Sequence, residues 1–150
     1  MDIYARIRQD HDRFRDLLHR LCDGKDQPAD RRAALFDALK REVWLHSKVE
    51  ELVFYSPLME ERRSRGETLE GIAEHHVAER LLDELDGIPK DGEAWMSKLS
   101  VLKENLDHHM QEEEKEIFDS ARKILSDEQA RTMAGDFDRR KKLGLQALTP

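Results

Sequence analysis

The chain of 150 residues has the length of one ordinary domain, and 38% of its residues are hydrophobic and 39% charged. This balance, with only seven Gly and four Pro, is typical of amphipathic helices with charged outer faces, so we predict an all-α protein. The net charge of -7 argues against nucleic-acid binding, and the single cysteine, Cys22, excludes an intramolecular disulfide. Because the sequence shows no apolar stretch of membrane-spanning length and no secretory leader, we expect a cytoplasmic protein with no membrane partner.

The first two predicted helices each carry an apolar stripe that a histidine interrupts. Over about residues 2 to 22, apolar residues recur at steps of three or four, or at sums of these steps, and His11 occupies a gap in the stripe. The turn "DGKDQPAD" follows, and Asp30 is expected to cap a second helix over about residues 31 to 55, which ends near Ser56-Pro57. The inner row of this second helix comprises Leu35, Leu39, Val43, His46, Glu50 and Val53.

The next two predicted helices show the same interruption. After the polar stretch "EERRSRGE", Thr68 is expected to cap a third helix, whose inner row comprises Ile72, His75, Glu79 and Leu82. The stretch "DGIPKDG" ends this helix. A fourth helix over about residues 93 to 124 has an inner row of Leu99, Leu102, Leu106, His109, Glu113, Ile117 and Ile124. Four long helices joined by short turns predict an antiparallel up-and-down four-helix bundle.

A shorter segment follows the fourth helix. Ser126 and Gln129 have the spacing of a capping box for a short C-terminal helix, "DEQARTMAGDFDRR". The basic run Arg139-Arg140-Lys141-Lys142 is predicted to be the solvated end of that helix. We therefore divide the chain into a bundle of residues 1–125 and a C-terminal helix and tail of residues 126–150.

An internal repeat relates the two helix pairs. The stretch "DHDRFRDLLHRL" at residues 10–21 aligns with "EHHVAERLLDEL" at residues 74–85, an offset of 64. Likewise "HSKVEE" at residues 46–51 aligns with "HMQEEE" at residues 109–114, an offset of 63. Each half therefore carries an acid-His pair followed by His-x-x-x-Glu-Glu, which suits a bundle with a pseudo-two-fold axis through its centre.

Six side chains on the inner rows form a candidate metal site. Residues four apart lie on one face of a helix, so each His-x-x-x-Glu directs an imidazole and a carboxylate at one cation or at two adjacent ones. These ligands suit iron, manganese or zinc, and a carboxylate can bridge two cations. The alternative of ordinary core histidines and solvated glutamates would leave two carboxylates in the core without a cation. The predicted ligands of this dinuclear site are His11, His46, Glu50, His75, His109 and Glu113.

Other polar residues lie near these ligands in the sequence. Glu79, four residues beyond His75, has no acidic counterpart in the first half, and is a candidate additional ligand, hydrogen-bond acceptor or salt-bridge partner. Glu51 and Glu114 point about 100° away from the ligand glutamates and are expected to be solvated or to support ligands by hydrogen bonds. We expect solvated side chains at Asp10, Glu74, His19, His76 and His108, with support of a ligand as the alternative for His76 and His108. Phe14, Phe54 and Phe118 are expected to line the cavity, and Tyr55 is expected to be a packing residue.

In their order along the chain, these motifs resemble the hemerythrin-like, HHE cation-binding family over about residues 3 to 125. The matching pieces are "DH", "HSKVEE", "EH" and "HMQEEE", which together form the pattern H, HxxxE, H, HxxxE. The resemblance implies a four-helix bundle around a bridged di-iron centre held by the six residues named above. The third helix departs from the oxygen-carrying hemerythrins, because His75-x-x-x-Glu79 stands where they have HxxxH. Simple reversible oxygen carriage is therefore not expected.

The resemblance also implies cofactors and ligands. Two iron ions are expected, with manganese or zinc as alternatives, and the expected partner is a small diatomic molecule or a peroxide. We predict a non-haem di-iron protein that binds, senses or reduces dioxygen, peroxide or nitric oxide, either as an enzyme or as a binding protein. Two alternatives stay open: an iron sensing or handling module without catalysis, whose partner would be a separate protein, and a zinc-filled or metal-free interaction bundle.

Overall fold

The computed structural model describes residues 1–24 and 27–148, and the regular structure of these residues is helical. In chain order the elements are α1 (Ile3–Asp23), α2 (Ala29–Glu50), a π-helical segment (Glu51–Tyr55), α3 (Ser56–Met59), α4 (Arg62–Asp86), α5 (Glu93–Glu112), a second π-helical segment (Glu113–Ile117), α6 (Phe118–Arg122) and α7 (Asp127–Leu148). Lys25 and Asp26 of the predicted turn lie outside the described residues, as do residues 149 and 150 of the predicted tail. None of the described helices is long and apolar enough to cross a membrane.

The four long helices α1, α2, α4 and α5 form the predicted bundle. Helix α1 packs against α2 and α5, and α4 packs against α5 and α2, so that the two helix pairs face each other around one core. Short connections join successive helices, which therefore run up and down. The prediction of an all-α four-helix bundle is confirmed.

The core consists of two apolar clusters with a polar layer between them. One cluster contains residues such as Phe14, Leu39 and Trp95, and the other contains residues such as Ile7 and Phe54. Along α1 the chain passes from the second cluster to the first at the position of the buried His11. The same change of cluster occurs at His46, His75 and His109, so the four imidazoles lie at one level of the bundle.

Two helix starts differ from their predicted positions. Helix α2 begins at Ala29 after Pro28, so Asp30 lies in the first turn and is not the N-cap. Helix α4 begins at Arg62, and Thr68 is a buried residue inside it whose hydroxyl donates a 2.6 Å hydrogen bond to the Ser64 carbonyl. The prediction of Thr68 as the cap was wrong because this carbonyl, one turn back in the helix, satisfies its hydroxyl.

A wider π-helical turn begins at or directly after the glutamate of each ligand motif. The first such segment begins one residue after Glu50, and the second begins at Glu113. A π-helical turn holds one residue more than an α-helical turn, and such turns occur frequently at functional sites. The internal repeat is therefore preserved in the backbone as well as in the side chains.

The C-terminal helix α7 is longer than predicted and lies against the bundle. The capping box is present, because Ser126 Oγ accepts a 3.1 Å hydrogen bond from the backbone N–H of Gln129. The helix then continues through the basic run to Leu148 and packs on α1 and α2, with Phe137 fully buried. Lys141 was predicted to be solvated, but it is buried because the chain bends back and places it beside Asp10.

Candidate metal centre

The six predicted ligands converge at the polar layer of the bundle. His11 Nε2 lies 3.0 Å from Glu113 Oε1, and His75 Nε2 lies 3.0 Å from Glu50 Oε1. His46 Nε2 lies 3.3 Å from Glu50 Oε2, whereas His109 Nε2 is 3.9 Å from Glu113 Oε1. Both glutamates are completely buried, and all four histidines are at most 5% exposed.

The ligand atoms form two groups that share one carboxylate. In the first cluster, ligand atoms of His11, His46, Glu50 and Glu113 lie within 4.8 Å of one another. In the second cluster, the same limit holds for Glu50, His75 and His109. Because Glu50 belongs to both clusters, its two carboxylate oxygens can bind two adjacent cations, one oxygen to each cation. The described residues thus contain His/Glu clusters able to bind metal.

Each imidazole is held from behind by a carboxylate of another helix. The Nδ1 atoms of His11 and His75 lie 2.7 Å from Glu114 and 2.8 Å from Glu51, respectively. The Nδ1 atoms of His46 and His109 lie 2.7 Å from Asp10 and 2.7 Å from Glu74. An Nδ1–H that donates to a carboxylate fixes the ring orientation and leaves the Nε2 lone pair facing inward, as in many metal sites.

The inward-facing atoms fit a metal rather than a hydrogen-bonded core. In the described structure, six of these buried atoms make no hydrogen bond of normal geometry: Nε2 of His46, His75 and His109, both oxygens of Glu50, and Oε1 of Glu113. Buried polar atoms are normally satisfied, and leaving them unpaired costs about 1–3 kcal/mol each. Nitrogen and carboxylate donors that converge in this way form a ligand set for a transition-metal cation.

Buried imidazole and carboxyl groups of the centre bind protons when no metal is bound. Burial lowers the pKa of His11, but hydrogen bonds to Glu113 and Glu114 outweigh it and raise the pKa to about 9. Burial likewise lowers the pKa of His75, and its bonds to Glu50 and Glu51 raise it to about 10. Burial raises the pKa of Glu113, and the neighbouring Glu50 charge raises it further. A metal that binds here therefore replaces protons.

Tyr55 contacts the centre, although the sequence predicted only a packing role for it. Its hydroxyl donates a 2.6 Å hydrogen bond to Glu113 Oε2, and its ring stacks on that of His75 with centroids 5.4 Å apart. Gly71 makes room for this contact, because a Cβ there would lie 3.0 Å from the Tyr55 hydroxyl. The sequence held one signal for this residue: the repeat places Phe118 at the equivalent position, so the hydroxyl is present in one half only.

Two further predictions about neighbouring residues were wrong. Asp10 and Glu74 were expected to be solvated, but Asp10 is 7% exposed and both carboxylates bind ligand histidines of other helices. For Glu51 and Glu114, the sequence left solvation and support of a ligand open. In the structure, Glu51 supports His75 and Glu114 supports His11. The structure does not bring Glu79 to either cluster, and its carboxylate lies 3.0 Å from Lys48 Nζ.

The space beside the ligands is small. A cavity lined in part by His46, His75 and His109 has a volume of about 10 Å³, room for roughly one water-sized molecule. Phe14 closes one side of it and meets the His46 ring edge-on, with centroids 5.2 Å apart.

Comparison with known proteins is consistent with this centre. The family profile described as "Hemerythrin HHE cation binding domain" matches residues 2–121. A crystal structure of a Hemerythrin HHE cation binding domain-containing protein from Mycobacterium kansasii superposes with a TM-score of 0.85. It is 19% identical, and the match covers 98% of this chain and 89% of that chain.

A curated relative has a different printed name. A "DNA nickase" from Nostoc sp. (strain PCC 7120 / SAG 25.82 / UTEX 2576) is 27% identical over 137 residues, which make up 91% of this chain. The match covers 38% of that relative, so the chain spans well under half of its length.

Proposed function

Because the chain belongs to the Hemerythrin HHE cation binding domain family, we propose that it is a non-haem di-iron protein that binds or reduces a small oxidant. The oxidant is dioxygen, a peroxide or nitric oxide. The observation that carries the proposal is the set of four imidazoles, each oriented by a carboxylate behind it, that aim Nε2 at two buried glutamates. Ferrous iron bound by these residues would supply the electrons for reduction of the oxidant.

The residues of the chain have distinct tasks in this proposal. His11 and His46 would hold one ion, His75 and His109 the other, and Glu50 would contact both. The apolar clusters on either side keep bulk water away, and the small cavity limits what can approach. Tyr55 holds one oxygen of Glu113 in place, because its hydroxyl donates a 2.6 Å hydrogen bond to that carboxylate.

Iron loading tests the proposal directly. Ferrous iron added without oxygen should give about two ions per chain, and exposure to air, peroxide or nitric oxide should then change the near-ultraviolet absorption. Elemental analysis of protein purified without added metal would identify manganese or zinc if either is the resident ion. A chain that takes up no iron, or whose spectrum no oxidant alters, would contradict the proposal.

A matched pair of variants locates the site. Glu50→Gln should lose iron, whereas Glu79→Gln should keep it, because the Glu79 carboxylate pairs with Lys48 away from both clusters. Loss of iron in Glu79→Gln would instead support the additional-ligand role that the sequence left open.

A second candidate function is an iron sensing or handling module without catalysis. It is favoured by the buried carboxylates and imidazoles, which are costly to keep together without a cation and therefore link folding to metal. Thermal melts with and without iron separate the two functions when combined with the oxidant spectra. A large metal-dependent rise in melting temperature with no response to oxidants would favour the sensing module.

The proposed function does not include the DNA nicking named for the Nostoc relative. The net charge of -7 opposes the approach of a phosphate backbone, and the six ligand residues lie in a buried centre that a DNA strand does not reach.

The absence of a cysteine pair fits the reducing cytoplasm, which we propose as the location.

A further inference from the structure

Glu114, the carboxylate behind His11, also contacts two arginines of α1, the helix that carries His11. Glu114 Oε2 lies 2.7 Å from His11 Nδ1 and also accepts a 2.6 Å hydrogen bond from Arg15 Nη2. Arg8 approaches the other oxygen of Glu114, with Nε 3.4 Å from Oε1. The oxygen that orients the imidazole is thus also the oxygen that a guanidinium neutralises.

The carboxylate behind His46 is shared in the same way, and here α7 supplies the cation. Asp10 Oδ2 lies 2.7 Å from His46 Nδ1 and accepts a 2.9 Å hydrogen bond from Lys141 Nζ. Arg6 Nη1 donates a 2.8 Å bond to Asp10 Oδ1. Asp10, Lys141 and Arg6 are each at most 9% exposed, so solvent screens these charges little.

The carboxylates behind the other two histidines lack such cations. Glu51 Oε2 lies 2.8 Å from His75 Nδ1, and Glu74 Oε1 lies 2.7 Å from His109 Nδ1. Over residues 1–24 and 27–148, neither carboxylate forms an ion pair with a lysine or arginine. Lys48, three residues before Glu51, forms its ion pair with Glu79 at 3.0 Å, and its charge acts on Glu51 only through space.

We infer that residues outside the ligand set make the two metal positions unequal in affinity. Lys141 and Arg15 are the positioning residues; Lys141 acts through Asp10, and Arg15 acts through Glu114. The inference rests on the proposed function. A carboxylate raises the basicity of the imidazole it holds, and a cation on the same oxygen weakens that effect. His11 and His46 are therefore weaker donors than they would be without these cations, and the first cluster binds its ion less tightly than the same ligands would without Lys141 and Arg15.

Helix α7 has a chemical role in this arrangement as well as a packing role. It lies beyond residues 2–121, the segment that the family profile matches. Phe137 of α7 meets the His46 ring with centroids 5.5 Å apart, and the Arg6 guanidinium lies 5.0 Å above the Phe137 ring. Gly144 lets α7 approach Leu45 closely, because a Cβ there would overlap the leucine side chain. The helix thus holds both the cation and the ring that flank His46.

Zinc titration followed by histidine nitrogen NMR tests the inference without any redox chemistry. Zn²⁺ is added to metal-free protein, and the side-chain nitrogen shifts of the four histidines report occupancy of each cluster. Arg15→Gln and Lys141→Met should each raise the zinc affinity reported by His11 and His46 about tenfold, with that reported by His75 and His109 unchanged. Arg15 is one-third exposed, so Arg15→Gln tests the inference even if Lys141→Met fails to fold.

Two controls separate the proposed effect from loss of charge or packing. Arg13→Gln removes a charge from the same helix, but Arg13 pairs with Glu42 and not with a carboxylate behind a ligand, so both affinities should stay at the wild-type value. Lys141→Arg keeps the cation and should also behave as wild type. Equal changes in both clusters, or none in Arg15→Gln, would overturn the inference. Failure of zinc to move any of the four histidine signals would overturn the proposed metal centre as well.

Discussion

The two helix pairs carry the same ligand motif in different surroundings. In the first pair, α7 covers the carboxylate behind His46, and Lys141 and Arg6 bind it. In the second pair, the equivalent carboxylate, Glu74, is partly exposed, and besides the His109 ring that it supports, only the His108 ring approaches it among the described residues, with Nε2 3.9 Å from Glu74 Oε2. The comparison shows that a sequence repeat can preserve a ligand set while the charges around it diverge.

Loss of the shared carboxylate should have the largest effect, because it affects both halves at once. Glu50 contributes to both clusters and is completely buried. In Glu50→Ala we expect loss of both ions, measured as metal content after gel filtration. The same variant should still show a helical circular dichroism spectrum, since the two apolar clusters remain. Retention of a full complement of metal would show that neither ion depends on Glu50.

Neutralising two of the four supporting carboxylates, Asp10 in the first half and Glu74 in the second, should then distinguish the halves. Asp10→Asn leaves Lys141 buried without a carboxylate, so unfolding should become easier by about 3 kcal/mol, measured by urea denaturation of the metal-free protein. Glu74→Gln leaves no buried lysine or arginine unpaired and should cost less than about 1 kcal/mol. Each variant should also lower metal affinity about 10- to 100-fold. Equal destabilisation would contradict the difference between the halves.

The dependence of metal binding on pH should be alike in both halves. Without metal, the pKa of His11 is raised to about 9 and that of His75 to about 10, so both rings are protonated at pH 7. A metal must displace these protons, and its apparent affinity should rise about tenfold per pH unit for each proton until the pH passes these values. Chelator competition at several pH values measures the slope, and His11→Asn should reduce it by one proton.

The same protons link pH to the stability of the metal-free protein. Because both pKa values lie above the ordinary value of 6.5, the stability they confer is fully present below pH 6.5. It should be lost as the pH rises through about 9 to 10. Urea midpoints of the metal-free protein that increase over this range would contradict the protonation of the two rings.

Tyr55 should have the smallest effect, confined to one half. Tyr55→Phe removes the hydrogen bond to Glu113 Oε2 and makes the position match Phe118 of the repeat. We expect both metals to be retained and the unfolding free energy to fall by about 1 kcal/mol. Phe118→Leu, which removes a buried ring without touching a hydrogen bond, serves as a packing control. Loss of one metal in Tyr55→Phe would show that the hydroxyl is part of the ligand set.

The bundle and the convergence of six side chains could be predicted because both follow from spacing along single helices. A histidine and a glutamate four residues apart share a face whatever the helix packs against. The repeat then indicated that the two faces meet. The family motif added the order of the ligands, H, HxxxE, H, HxxxE.

The supporting residues could not be predicted, because their partners are set by how the helices rotate against one another. Asp10 and Glu74 look solvated on their own helices, yet each bonds a histidine of a neighbouring helix. Lys141 lies in a basic run that is typical of a solvated helix end, and only the docking of α7 buries it. The π-helical turns were missed too, because a single widened turn leaves no mark on the hydrophobic period.

Anomalous diffraction from crystals of the iron-loaded protein would locate the metal ions. We expect two iron peaks, one beside His11 and His46 and the other beside His75 and His109, with Glu50 in contact with both. A single peak, or peaks at the exposed group of Glu74, His108 and Glu112 instead of the buried centre, would contradict this expectation.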